Sequence, residues 1–95
     1  MWEVLIESNA MKYLDSLDAK RRENIKESLR FLRESPFPGQ CVGDKKEIKG
    51  LKNISFRMRI GDYRAFYVIE KEFKVVKVTE IMTAEAAHKK YGQML

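Results

Sequence analysis

The chemistry in this 95-residue chain is concentrated in arginine. Arg57, Arg59 and Arg64 fall within the run SFRMRIGDYRAFYVIE, in which apolar and basic side chains alternate with a period of two. Such alternation is the pattern of a β-strand, whose successive side chains point to opposite faces. A guanidinium group keeps its charge at any accessible pH and grips a phosphate through paired N–H bonds. Gathered on one face, the three arginines would hold an anion. Phe66 among them offers a ring on which a base could stack, a combination suited to single-stranded RNA. The same residues also read as a solvated basic face, or as one that pairs with acidic groups of a partner protein. Proton transfer has fewer carriers. His88 is the single side chain whose ordinary pKa lies near neutrality, and Tyr91, three residues on, would share its helical face, with Lys89 and Lys90 between them. A lone histidine and tyrosine on a terminal helix serve equally as surface or packing residues.

The charge balance points the same way. Nineteen Lys and Arg against 14 Asp and Glu leave a net +5, and the excess is unevenly placed. Residues 1–35 are neutral, whereas residues 45–64 alone carry Lys45, Lys46, Lys49, Lys52, Arg57, Arg59 and Arg64 against Glu47 and Asp62. An anionic partner is implied, nucleic acid before membrane, because these residues lie on a strand pattern and not on an amphipathic helix. One cysteine, Cys41, and one histidine, His88, exclude an internal disulfide and a four-ligand zinc site. No apolar run approaches the roughly 18 residues of a membrane span. The opening MWEVLIESNA has no basic stretch before an apolar one, so a cytoplasmic protein is expected. The length allows one domain.

Positioning these residues requires a sheet and helices to back it. Residues 2–6 read as a short strand. Ser8 or Asn9 can cap a first helix carrying Ala10, Met11, Leu14 and Leu17, and Asp18 a second carrying Ile25, Leu29 and Leu32, which Pro36 ends. Residues 36–53 hold both prolines and three of the five glycines and read as a long loop. Three strands of an antiparallel meander follow, and then a helix over 84–91 capped by Thr83. The order predicts an α+β fold with helices packed on one side of the sheet.

Register follows from the turn. With Gly61-Asp62 as a two-residue hairpin loop, Arg59 faces Arg64 and Arg57 faces Phe66. One face then carries Phe56, Met58, Ile60, Tyr63, Ala65, Tyr67 and Ile69 toward the core. The other carries Arg57, Arg59, Arg64, Phe66 and Val68. A second two-residue turn at Lys71-Glu72 would bring Lys77 beside Phe66 and Thr79 beside Arg64. Arg59 directly opposite Arg64 is destabilising on its own account and makes sense with an anion between them.

The run KEIKGLKNISFRMRIGDYRAFYVI, with its Lys-Gly, its Arg-Met-Arg-Ile and its Gly-Asp-Tyr-Arg, resembles the central strands of the RelE/ParE superfamily of toxins from toxin-antitoxin modules. The N-terminal strand, the helical hairpin with Leu17 and the proline after the second helix match too, so the likeness covers nearly the whole chain. It implies a single toxin domain over residues 1–95, with no cofactor. RelE-like members sit in the ribosomal decoding site and cleave messenger RNA without a metal, using a 2′-hydroxyl to attack the next phosphate. ParE-like members share the fold and inhibit DNA gyrase. Both are held inactive by an antitoxin in a hetero-oligomer. Arg57, Arg59 and Arg64 coincide with basic positions that RelE-like enzymes use on the phosphate, and Tyr91 is similar to a tyrosine near the 2′-hydroxyl. The favoured expectation is a ribosome-dependent endoribonuclease with His88 and Tyr91 transferring protons and Lys49, Lys52, Phe66 and Lys77 contacting RNA. The chain departs from the pattern where an arginine usually follows the last strand, since Met82, Thr83 and Ala84 stand there. A gyrase inhibitor or a catalytically impaired member is therefore the alternative, and a plain RNA-binding module a third.

Overall fold

Gly61 turns the chain with a φ of +55°, a conformation open to a residue without Cβ, and Asp62 completes the loop. The strands on either side pair in the register that turn dictates: Ile60 with Tyr63, Arg59 with Arg64, Met58 with Ala65, Arg57 with Phe66 and Phe56 with Tyr67. A computed structural model describes residues 1–39, 44–48 and 55–92. In chain order its elements are β1 (Glu3–Ile6), α1 (Ser8–Ser16), α2 (Ala19–Arg30), a 3₁₀ turn (Phe31–Arg33), β2 (Asp44–Ile48), β3 (Ser55–Ile60), β4 (Tyr63–Glu70), β5 (Val75–Thr83) and α3 (Ala84–Tyr91). The sheet runs β1-β5-β4-β3-β2, with β1 parallel to β5 and the other pairs antiparallel.

Leu14 of α1 and Ile25 and Leu29 of α2, with Leu32 after them, bury the apolar helical faces against Phe56, Met58, Ala65, Tyr67, Val76, Val78 and Ile81. Ile60, Tyr63 and Ile69 pack at the margin, so every residue assigned to the inner face of the hairpin belongs to this core. Asp18 caps α2 by accepting from the Arg21 amide at 2.8 Å, and Thr83 caps α3 by accepting from Ala86 at 3.1 Å. Neither Ser8 nor Asn9 caps α1. Its N-cap is Glu7, without a side-chain bond, and Ser8 is already its first residue.

The helices are not all on one side of the sheet as expected, since α3 packs Ala87 and Tyr91 on Phe66 and Ile48 of the face opposite α1 and α2. Two further expectations need correction. The loop over 36–53 contains β2, which pairs Asp44 with Arg59, Lys46 with Arg57 and Ile48 with Ser55, so the meander has four strands. The strand is easily missed because it is charged on both faces, as an edge strand often is. Lys45 reaches the core side yet keeps its ammonium bonded to the Ser35 carbonyl at 2.7 Å. The second correction concerns the β4–β5 turn, which spans four residues and uses Lys74 at φ +52° in place of a glycine. A bulge at Thr79 then shifts the register, so Phe66 faces Glu80, Arg64 faces Met82, and Lys77 lies beside Val68.

The chain leaving the 3₁₀ turn is tied down from the core. Ser35 and Pro36 are buried, and the Tyr67 hydroxyl donates to the Pro36 carbonyl at 2.6 Å. Burial pushes the Tyr67 phenol far above its ordinary range, so it acts as a donor throughout. Tyr67→Phe is expected to leave that buried carbonyl unpaired and lower stability by about 1–3 kcal/mol. Urea unfolding should show a lower midpoint at unchanged slope.

Candidate functional site

On the sheet face away from α1 and α2, cross-strand pairing lays side chains out in two rows. One runs Lys46, Arg57, Phe66, Glu80 from β2 to β5, and the next runs Asp44, Arg59, Arg64, Met82. The three arginines therefore share this face, on adjacent strands about 4.8 Å apart.

Each guanidinium has its own setting. Arg57 lies deepest, with its side chain 10% exposed. Its Nη1 is 3.7 Å from one oxygen of Asp44, beyond hydrogen-bond range, and that nitrogen is buried without a hydrogen-bond partner. Arg59 is half exposed and donates to the other Asp44 oxygen at 3.4 Å. Arg64 folds back to the hairpin, its Nη1 donating at 2.8 Å to the carbonyls of Gly61 and Tyr63. The opposed pair Arg59 and Arg64 thus sends its charges to different acceptors. Burial pushes the Arg57 guanidinium below its ordinary range, Asp44 pulls it back, and Arg59 and Arg64 push it down again. Three arginines on one face, with one carboxylate shared by two of them, leave a surplus of positive charge, and a buried donor without a hydrogen bond is a state that an anion relieves.

The terminal helix closes the other end of the face. Thr83 caps α3, and the first amide of that helix, Ala84 N–H, donates at 2.7 Å to the carbonyl of Asp62 in the hairpin turn. From there α3 lays Ala87 and Tyr91 over the sheet, where Phe66, Ile48 and Met82 complete a second, smaller apolar cluster. The rings of Phe66 and Tyr91 sit 5.0 Å apart. Phe66 is 3% exposed, which corrects its reading as an open ring for a base: the helix that brings Tyr91 in covers it. Tyr91 in turn bonds through its hydroxyl to one oxygen of Glu80, and Lys90 donates to the other at 2.6 Å. Burial works against the Glu80 carboxylate, but the bonds from Lys90 and Tyr91 outweigh it and hold its pKa below the usual range. Burial, and then the bond to Glu80, raise the Tyr91 phenol.

The structure gathers Arg57, Arg59, Arg64, Phe66 and Tyr91. His88 is exposed on α3, its ring against the backbone of Gly92. Lys77 stands apart, paired with Glu70 at 2.8 Å, because the bulge and the longer turn move it down the sheet. Lys49, Lys52 and Cys41 lie outside the described residues. Sequence reasoning missed Asp44, Lys46 and Glu80. The first two belong to the unrecognised strand β2, and Glu80 was displaced by the misplaced register.

A small sheet of this order, backed by a helical hairpin and crossed by a terminal helix, is the fold of the RelE-type toxins. The chain of RelE in the crystal structure of the archaeal RelE-RelB complex from Pyrococcus horikoshii OT3 superimposes with a TM-score of 0.72 at 26% identity, covering 86% of this chain and 93% of that one. The isolated E. coli RelE toxin gives a TM-score of 0.67 at 20% identity over 100% of both chains, a likeness of fold. A Methanocaldococcus jannaschii protein named "Putative toxin RelE1" is 28% identical over 88 residues, 93% of this chain and 96% of that protein. No family model matches. In fold and in sequence the chain is thus similar to the RelE-like toxins.

The bonding of Glu80 makes α3 docking sensitive to acid. A carboxylate whose folded pKa lies below its unfolded value stabilises the fold above about pH 4.3, and that contribution is lost as pH falls through the folded pKa. Glu80→Gln is therefore expected to lower stability by about 1–2 kcal/mol at pH 7. The gap in melting temperature between it and the wild type should close as the pH is taken below about 4.

Proposed function

We propose that the protein is the toxin of a toxin-antitoxin pair and acts in the cytoplasm as an endoribonuclease on ribosome-bound messenger RNA. The observation that carries this reading is the Arg57 guanidinium, nine-tenths buried, its Nη1 ion-paired to Asp44 but without a hydrogen-bond partner, and flanked by Arg59 and Arg64 on one sheet face. Attack of a 2′-hydroxyl on the adjacent phosphate builds negative charge on the phosphoryl oxygens, and fixed cations already in place lower that barrier. Arg57 and Arg59 bind the phosphate. Arg64, anchored at the turn, holds its charge beside them. Tyr91 stands on the same face for the 2′-hydroxyl, and His88, exposed one turn earlier on α3, supplies a proton to the leaving 5′ oxygen. The 95 residues form one toxin domain, and its inhibitor is a cognate antitoxin, as RelB accompanies RelE in the P. horikoshii complex.

One observation favours a second reading, inhibition of gyrase. Met82, opposite Arg64, packs into the small apolar cluster where the superfamily pattern leads one to expect another cation.

Induction of the wild-type chain is expected to arrest growth and leave new message ends on ribosomes. Arg57→Ala and Arg64→Ala should each reduce cleavage by roughly 10²–10³-fold while the circular dichroism of the fold persists. Undiminished cleavage by both variants contradicts the assignment, and inhibition of supercoiling without message cleavage selects the second reading.

A further inference from the structure

We propose that Glu80 is a positioning residue for Tyr91 and relays to water the proton that Tyr91 passes on when it deprotonates the 2′-hydroxyl. The inference rests on the endoribonuclease reading and deepens it.

Glu80 and Arg57 flank Phe66 in one cross-strand row, so their backbones stand about 10 Å apart, two strand spacings. The Tyr91 ring lies against Phe66, the residue between them, and its hydroxyl reaches to the Glu80 side. A phosphate on the arginines therefore presents its neighbouring ribose to the Tyr91 edge of the face. Both Glu80 oxygens are engaged, one by the Tyr91 hydroxyl and one by Lys90 at 2.6 Å, and the carboxylate is less than a third exposed. That is more constraint than anchoring a terminal helix requires, and it fixes the direction of the phenolic proton. A phenol that donates to a carboxylate keeps its oxygen lone pairs as acceptors; the Lys90 ammonium lies against one side of it, and a lone pair remains for the 2′-hydroxyl.

In the step this defines, the 2′ oxygen forms a bond to phosphorus and the bond from phosphorus to the 5′ oxygen breaks. The 2′ proton passes to the Tyr91 oxygen as the Tyr91 proton passes to Glu80. The departing 5′ oxygen takes a proton from His88 or water, and Glu80 returns its own to water. Products are a 2′,3′-cyclic phosphate and a 5′-hydroxyl end, with no redox change.

The test is single-turnover cleavage on programmed ribosomes. Glu80→Gln keeps the size of the side chain and one of its two acceptor oxygens, which can still receive Tyr91, but takes up no proton. It is expected to lower the maximal rate about 10²-fold at an unchanged half-saturating concentration. Tyr91→Phe should lose as much. The double variant should lose no more than either alone, because residues acting as a unit are not additive. Glu80→Asp should recover part of the rate. If Glu80→Gln does not fold, Tyr91→Phe decides. A wild-type rate in either variant, losses that multiply, or an effect confined to half-saturation overturns the proposal while leaving the endoribonuclease reading intact. A wild-type protein that does not cleave message overturns both.

Discussion

The hairpin turn at Gly61-Asp62 is the constraint from which the rest of the site follows. Its two-residue length sets the β3–β4 register, and that register divides the hairpin into an apolar face for α1 and α2 and a basic face for the site. The turn also supplies three successive acceptors. The carbonyls of Gly61 and Tyr63 receive Arg64, and that of Asp62 receives the first amide of α3. One short loop thus orients an arginine and fixes the start of the helix that carries Tyr91. A shift of register by one residue would turn the arginines into the core and the core residues out to solvent.

The basic face is assembled against its own stability. Arg59 sits directly opposite Arg64, and Arg57 buries most of a guanidinium with a single carboxylate nearby. Withdrawing a charge from water costs several kcal/mol unless it is well paired, and Asp44 divides itself between two cations. Packing gains elsewhere must offset this, and the two apolar clusters on opposite faces of the sheet provide them. The second cluster does more than stabilise. By covering Phe66 it trades a stacking surface for a fixed Tyr91, so the face is suited to chemistry at a phosphate more than to stacking a base.

Much of this layout is legible in the residues. Glycine at a two-residue turn, flanked by strict alternation, determines both the register and which side is buried, and the caps Asp18 and Thr83 stand where the apolar periodicity begins. What stays hidden has physical causes. β2 is built from Asp-Lys-Lys-Glu-Ile, in which burial does not follow hydrophobic alternation, because Lys45 buries its stem while its ammonium finds the Ser35 carbonyl. The β4–β5 connection lacks glycine, and Lys74 accepts a left-handed conformation that its composition does not announce. The bulge at Thr79 compounds the error and moves Glu80, in place of Lys77, beside Phe66. Coverage of Phe66 by α3 is a tertiary event, and no local pattern reports it.

The central claim is that Arg57 and its neighbours hold a phosphate of single-stranded RNA. The most direct measurement is a nitrogen-15 NMR titration of the arginine side chains with a short RNA carrying 2′-deoxy sugars to prevent cleavage. The account predicts saturable shifts of the Arg57 and Arg59 guanidinium resonances, weakened by added salt, with Arg33 on the 3₁₀ turn unmoved. Shifts of Arg33 alone, or none at all, would contradict it.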